Sequence, residues 1–209
     1  LKLVGTGAVG PALQGASVSL SADGNTALVG GYLDDTNTGA AWVWIRSGGV
    51  WTQQGSKLVG TGATGAAEQG ASVSLSADGN TALVGGPVDN GGAGAVWVWT
   101  RTGGVWTQQG GKLVGTGAAG AASQGTSVSL SADGNTALVG GHGDNAFAGA
   151  VWVWTRSGGV WTQQGAKLVG TGAVGSAHQG VSVSLAADGN TALAGGHDAG
   201  GAVHVDVFV

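Results

Sequence analysis

The stretch Ser17–Gly31, SVSLSADGNTALVGG, recurs unchanged at 72–86 and 127–141, and with two substitutions at 182–196. Lys2-Leu3-Val4-Gly5 likewise returns at Lys57, Lys112 and Lys167, which sets a period of 55 residues. Such a period marks an array of equal supersecondary units, each burying its apolar faces against its neighbours. The units run over about 2–56, 57–111, 112–166 and 167–209, within a single domain spanning 1–209.

Inside a unit the apolar residues alternate with a period of two, the mark of strands. Strand A is Ser17–Ser21, the Asp23-Gly24 turn reverses the chain, and strand B is Thr26–Gly30. A short variable loop leads to strand C, Ala40–Arg46, and Ser47-Gly48-Gly49 turns it into strand D, Val50–Gly60, with a bulge at Gly55. On strand C, Trp42 and Trp44 share one face while Ala41, Val43 and Ile45 share the other, so both faces are apolar. A strand covered on both faces fits a blade between two blades. The expectation is an all-β protein, a β-propeller of four four-stranded antiparallel blades. The fourth unit lacks a strand D, and the N-terminal Leu1–Val4 is expected to complete that blade and close a monomeric ring. A four-bladed ring turns by about 90° per blade, steep for ordinary sheet twist. Two chains joined as an eight-bladed homodimer are the alternative.

Composition narrows the functions open to such a chain. Gly5-Thr6-Gly7-Ala8-Val9-Gly10 matches a dinucleotide-binding pattern, but no helix pattern follows it and it recurs four times, so it reads as a loop. Glycine accounts for 46 of 209 residues without a triplet period, which excludes collagen, while nine tryptophans and 42% hydrophobic residues require a packed core. A net charge of −4 without a basic run disfavours nucleic acid as a partner, and no apolar run is long enough for membrane insertion. Cysteine is absent, so neither disulfides nor thiolate ligands are available. The first residue is not methionine, and the chain is read as processed or cut from something longer.

Short motifs carry a family resemblance. Gln14-Gly15, Gln69-Gly70, Gln124-Gly125 and Gln179-Gly180 precede strand A, and Gly85-Gly86-Pro87 follows strand B. In these positions the unit resembles the FG-GAP repeat of integrin-α-like propellers, with glutamine in place of phenylalanine. The resemblance implies a secreted or cell-surface binding or adhesion module. It departs from that family at the calcium loop, here reduced to SADGNT with one carboxylate, too few oxygens for calcium. No cofactor is expected, and calcium binding would at most be weak.

Single residues are weighed in the same way. Asp23, Asp78, Asp133 and Asp188 read as turn formers, the strand C tryptophans as core, and Arg46, Arg101 and Arg156 as exposed partners of the turn aspartates. His204 and Asp206 are taken to occupy the places of Trp97 and Trp99 in the last strand C. No catalytic constellation and no metal spacing is visible, so the chain reads as a non-enzyme. The units differ almost only in the B–C and D–A loops, which a meander gathers on one rim. Asp34, Asp35, Asp89, Asn90, His142, Asp144, Asn145, His197 and Asp198 in the B–C loops are the candidate ligand-binding residues, expected to form an acidic rim for a protein or glycan. A purely structural repeat is the alternative.

Overall fold

The computed structural model describes residues 2–171, 175–197 and 203–208. Fifteen strands form four antiparallel sheets among these residues. Blade one comprises β1 (Ser17–Leu20), β2 (Thr26–Gly31), β3 (Ala40–Ser47) and β4 (Val50–Gln53). Blade two repeats it as β5 (Ser72–Leu75), β6 (Thr81–Gly86), β7 (Ala95–Thr102) and β8 (Val105–Gln108). Blade three is β9 (Ser127–Leu130), β10 (Thr136–Gly141), β11 (Ala150–Ser157) and β12 (Val160–Gln163). Blade four has β13 (Ser182–Leu185), β14 (Ala192–His197) and β15 (Val203–Phe208). The inner strands β1, β5, β9 and β13 lie side by side in chain order.

Alternation decides which face each strand buries. Trp97 and Trp99 of β7 turn back towards blade one and pack with Leu28, Ala41 and Val43, while Val96 and Val98 turn forward into the core shared with blade three. The expected D strand is interrupted. Pairing with strand C stops at Gln53 and resumes at Leu58, which bonds both ways with Ala41, and Gly55 takes a positive φ in between.

The segment after Leu58 then crosses to the next blade. Gly60 lies flat against the indole of Trp97, whose Nε1 donates to the Thr61 carbonyl at 2.8 Å. Gln69, buried, accepts from the Gly60 N–H at 2.6 Å and donates to its carbonyl at 3.0 Å. The glycine-rich hexapeptide is therefore a backbone turn clamped by a tryptophan and a glutamine. Blades are also joined laterally: Gln54 Oε1 accepts from Trp106 Nε1 and Arg101 Nη1 of the following blade.

Two expectations change at the chain ends. The first concerns closure: Lys2–Val4 belongs to no described strand, and the fourth sheet has three strands. Gly5 packs on Trp42 and Trp42 Nε1 donates to the Thr6 carbonyl, which commits the N-terminal segment to blade one. Among the described residues ring closure is not seen. The second concerns register. Ala194 pairs with Asp206 as Val84 pairs with Trp97, so Asp206 holds the place of Trp97 and His204 stands opposite Gly196, in the place of Ala95. The stretch joining β14 to β15 is shorter than its counterparts, and His204 and Asp206 each stand two places earlier than expected.

A Cβ on Gly60 would lie 2.0 Å from Trp97 Cδ1. Gly60→Ala is therefore expected to destabilise the protein by about 1–3 kcal/mol or more. Gly62→Ala, with open space around its Cβ, tests only the cost of its positive φ. Chemical denaturation of the two variants separates the clash from the backbone effect.

Candidate functional site

The two rims of the blades behave differently. On one rim, Asp23 Oδ1 accepts from Ser21 Oγ at 2.6 Å and from the Asn25 N–H at 2.9 Å, and these bonds hold its pKa down to about 2. Arg46 donates to Asn25 Oδ1 and lies over the Trp51 ring, 5.6 Å from its centroid. The arginines were expected to pair with the turn aspartates. They bond instead to Asn25, Asn80 and Asn135, because the carboxylates are already saturated by their own turns. This rim is a set of closed, self-satisfied turns.

The other rim carries the variable loops. Each of the first three B–C loops makes a four-residue turn, Asp34–Asn37, Asp89–Gly92 and Asp144–Phe147. Its second and third residues are left-handed: Asp35 and Thr36, Asn90 and Gly91, Asn145 and Ala146. Left-handed backbone costs a non-glycine residue about 1–2 kcal/mol. The first aspartate of each turn offsets that strain. Asp34 is wholly buried, accepts from the Val9 N–H at 2.7 Å and forms an ion pair with Lys57. Asp89 does the same with Thr64 and Lys112, and Asp144 with Ala119 and Lys167.

The expected rim residues thus separate into groups. Asp34, Asp89 and Asp144 are buried braces that tie a B–C loop to the neighbouring D–A loop. Asp35, Asn90 and Asn145 are exposed on the turns. Asp198 lies outside the described residues. His142 and His197 come together, and with them two residues that sequence reasoning did not single out, His178 and Phe147. The His178 ring stacks on His197 at 4.8 Å and on His142 at 6.0 Å, with interplanar angles of 13° and 19°. Phe147 lies 5.4 Å from His178 and 6.3 Å from His142. The four rings come from the B–C loop and strand end of blade three, and from the D–A loop and β14 end of blade four. His142 and His197 are one period of 55 residues apart and hold the same place in their units, whereas Phe147 and His178 stand at two other places, so no motif spacing joins the four. The one available signal was their shared location in variable loops.

His142 Nδ1 stands 2.9 Å from Thr126 Oγ1, and His178 Nδ1 stands 2.8 Å from the Ser176 carbonyl. Burial, and then the charge of a protonated His178 or His197, lowers the pKa of His142. The three imidazoles are stacked with Phe147 tilted against them, and among the described residues no group of three His, Cys, Asp or Glu side chains is placed to hold a metal. Phe147 is 51% exposed and has φ 69°, a left-handed place taken by Asn37 and Gly92 in the first two units. The arrangement is an open aromatic surface, suited to stacking on planar or ring-shaped groups.

Comparison with known proteins extends this picture to the fold alone. No family model matches the chain, and no curated protein matches it. Solved structures do. TolB from Acinetobacter baumannii aligns with TM-score 0.53 at 14% identity, over 91% of this chain and 40% of its own. Hydrazine synthase from Kuenenia stuttgartiensis aligns with TM-score 0.56 at 16% identity, over 99% of this chain and 47% of its own. A functionally unknown protein from Desulfotomaculum acetoxidans aligns with TM-score 0.55 at 15% identity, over 92% and 54%. The fold is that of β-propeller blades. The chain spans about half the length of these structures. Among the described residues no helix is long and apolar enough to cross a membrane.

Two predictions follow from the rim. Asp89→Ala removes the partner of Lys112 and of the Thr64 N–H, and breaking such a buried pair is expected to destabilise the protein by about 3–5 kcal/mol in chemical denaturation. Because the folded state lowers the pKa of His142, its neutral form stabilises the rim above its ordinary value near 6.5. That contribution is lost as pH falls below 6.5 and through the lowered value of the folded state. Tm is expected to drop between about pH 7.5 and pH 5.5, and less in His142→Gln. Asp23, held at about 2, contributes to pH dependence only at more acidic pH, so the two windows are distinct.

Proposed function

We propose that this protein is a non-enzymatic binding module, a divergent relative of the FG-GAP propellers that acts in a secreted or cell-surface setting. The variable rim presents its ligand surface, and the ring cluster His142, Phe147, His178 and His197 is its centre. One observation carries the reading: Phe147 is held in a strained left-handed conformation and exposed, where the first two units place asparagine and glycine. Strained, solvent-facing aromatics are what a recognition surface retains and a scaffold discards.

The chemistry of the cluster favours a glycan, whose ring faces stack on aromatic planes while its hydroxyls reach donors and acceptors such as Asn145 beside them. Hydrazine synthase, among the similar folds, shows that an enzyme can be built on this architecture. The hydroxyl beside the rings, Thr126 Oγ1 at 2.9 Å from His142 Nδ1, donates its proton to the Ser123 carbonyl at 2.7 Å rather than to the imidazole, which supports binding over catalysis. The alternative of a purely structural repeat draws on the buried aspartates, which brace loops whether or not anything binds them.

A glycan array probed with the wild-type protein, Phe147→Ala and His178→Ser separates these readings. Binding by the wild type with a loss of tenfold or more in both variants, at unchanged Tm, is the expected result. A wild type that binds no glycan, or variants that bind as well, would sink the glycan surface.

A further inference from the structure

The molecule makes one kind of junction three times within itself, and its two end faces are the separate halves of a fourth. At the first junction Val73 and Leu75 of β5 are 8% and 7% exposed, packed in one cluster with Leu28 and Val43 of blade one. Val18 and Leu20 hold the same positions on β1 and are 69% and 60% exposed. On the receiving side Leu28, Leu83 and Leu138 are fully buried, whereas Leu193, their counterpart on β14, is 41% exposed.

The polar contacts repeat as well. Ser17, Ser72 and Ser127 donate Oγ–H to the carbonyls of Gly70, Gly125 and Gly180 in the next blade, at 2.7–2.8 Å. The Leu75, Leu130 and Leu185 N–H groups donate to Ser19, Ser74 and Ser129 Oγ, at 3.0–3.1 Å. Ser182 and Ser184 of β13 are the next members of these two series, and both are exposed. Leu58, Leu113 and Leu168 each bond both ways with the strand C of the preceding blade, at Ala41, Val96 and Val151. Leu3 is the next leucine of that series, and Val205, paired with Gly195 as Ala41 is with Gly30, is the next strand C position.

We propose that a second copy of this chain seats its blade one on blade four of the first, head to tail, in the register of the internal junctions. Ser182 Oγ then donates to the Gly15 carbonyl of the other copy, and the other copy's Leu20 N–H donates to Ser184 Oγ. Val18 and Leu20 cover Leu193, and the N-terminal Leu3 pairs with Val205 at the open edge of β15. A second copy is the occupant because the match holds position by position for apolar, hydroxyl and backbone groups together. The chain's own other end does not fill this role, since β1 and β13 lack the close packing that joins β1 to β5, β5 to β9 and β9 to β13. Such a junction is heterologous, and two of them close a ring of eight blades.

Light scattering across a concentration series tests this directly. The expected mass is about 40 kDa, twice the 19.9 kDa of one chain. A head variant, Val18→Asp with Leu20→Asp, and a tail variant, Leu193→Asp, are each expected to run near 20 kDa with unchanged circular dichroism. Mixed in equal amounts they are expected to regain the doubled mass, since each keeps the face the other has lost. Val160→Asp, on an equally exposed apolar residue of β12, serves as the control and keeps the wild-type mass. A wild type that stays near 20 kDa at every concentration overturns the proposal. So does a doubled mass that survives both variants, or a mixture that stays monomeric, which would mean like faces meeting. Where Leu193→Asp loses its fold, Leu193→Ser replaces it. A ladder of larger masses abolished by the head variant keeps the junction and overturns ring closure.

Discussion

Each complete blade is organised around one indole held between two bare backbones. Trp97 lies with its Cδ1 edge on Gly60 and its Cζ3 edge on Gly86, so close that a Cβ on either glycine would fall within 3 Å of the ring. Its Nε1 is satisfied by the Thr61 carbonyl, which leaves no polar group of the indole unpaired. Because Thr61 belongs to the segment arriving from the preceding blade, this one side chain fixes how successive blades are joined. The glycines at these places are the space the indole occupies. Where Asp206 stands in place of the tryptophan, one carboxylate oxygen is buried without a partner, and the fourth blade lacks the group that anchors the others.

Legibility in the sequence followed the same division between local and distant causes. Strands β1 to β3 and their copies were readable because their alternation and turn residues are local. Strand D reads in the sequence as continuous from Val50 to Gly60, but its path depends on Leu58 returning to Ala41 after two extra residues, a pairing that local pattern does not encode. From the sequence Asp34, Asp89 and Asp144 read as surface residues of the rim. Their burial follows from lysines 23 residues downstream, a spacing constant across three units that carries the information once ion pairing is considered. The ring cluster was half legible: His142 and His197 were singled out, while His178 and Phe147 were passed over because no single unit contains the set.

Repetition also carries the residues of the junction into the first and fourth units. Here the inner strand of the first unit has the same Ser-Val-Ser-Leu as the interior ones, and the fourth unit keeps Leu193 where the interior leucines are wholly buried. The apolar and hydroxyl positions of the junction therefore persist at both ends.

The division between bracing and presentation within a single loop gives the scaffold its tolerance of change. The first residue of each turn is an aspartate locked to a lysine and a backbone N–H, and that lock offsets the strain of the left-handed residues after it. The last residue of the turn is free to vary, and it is Asn37, Gly92 or Phe147 at nearly the same chain path. Stability rests on buried charge that does not vary between the three described turns, while the exposed group can change chemistry without disturbing it. A loop built this way can acquire an aromatic recognition surface in one unit while its sister loops remain polar or bare. The third unit, with Phe147 and His142 beside His178 of the next, has taken that course.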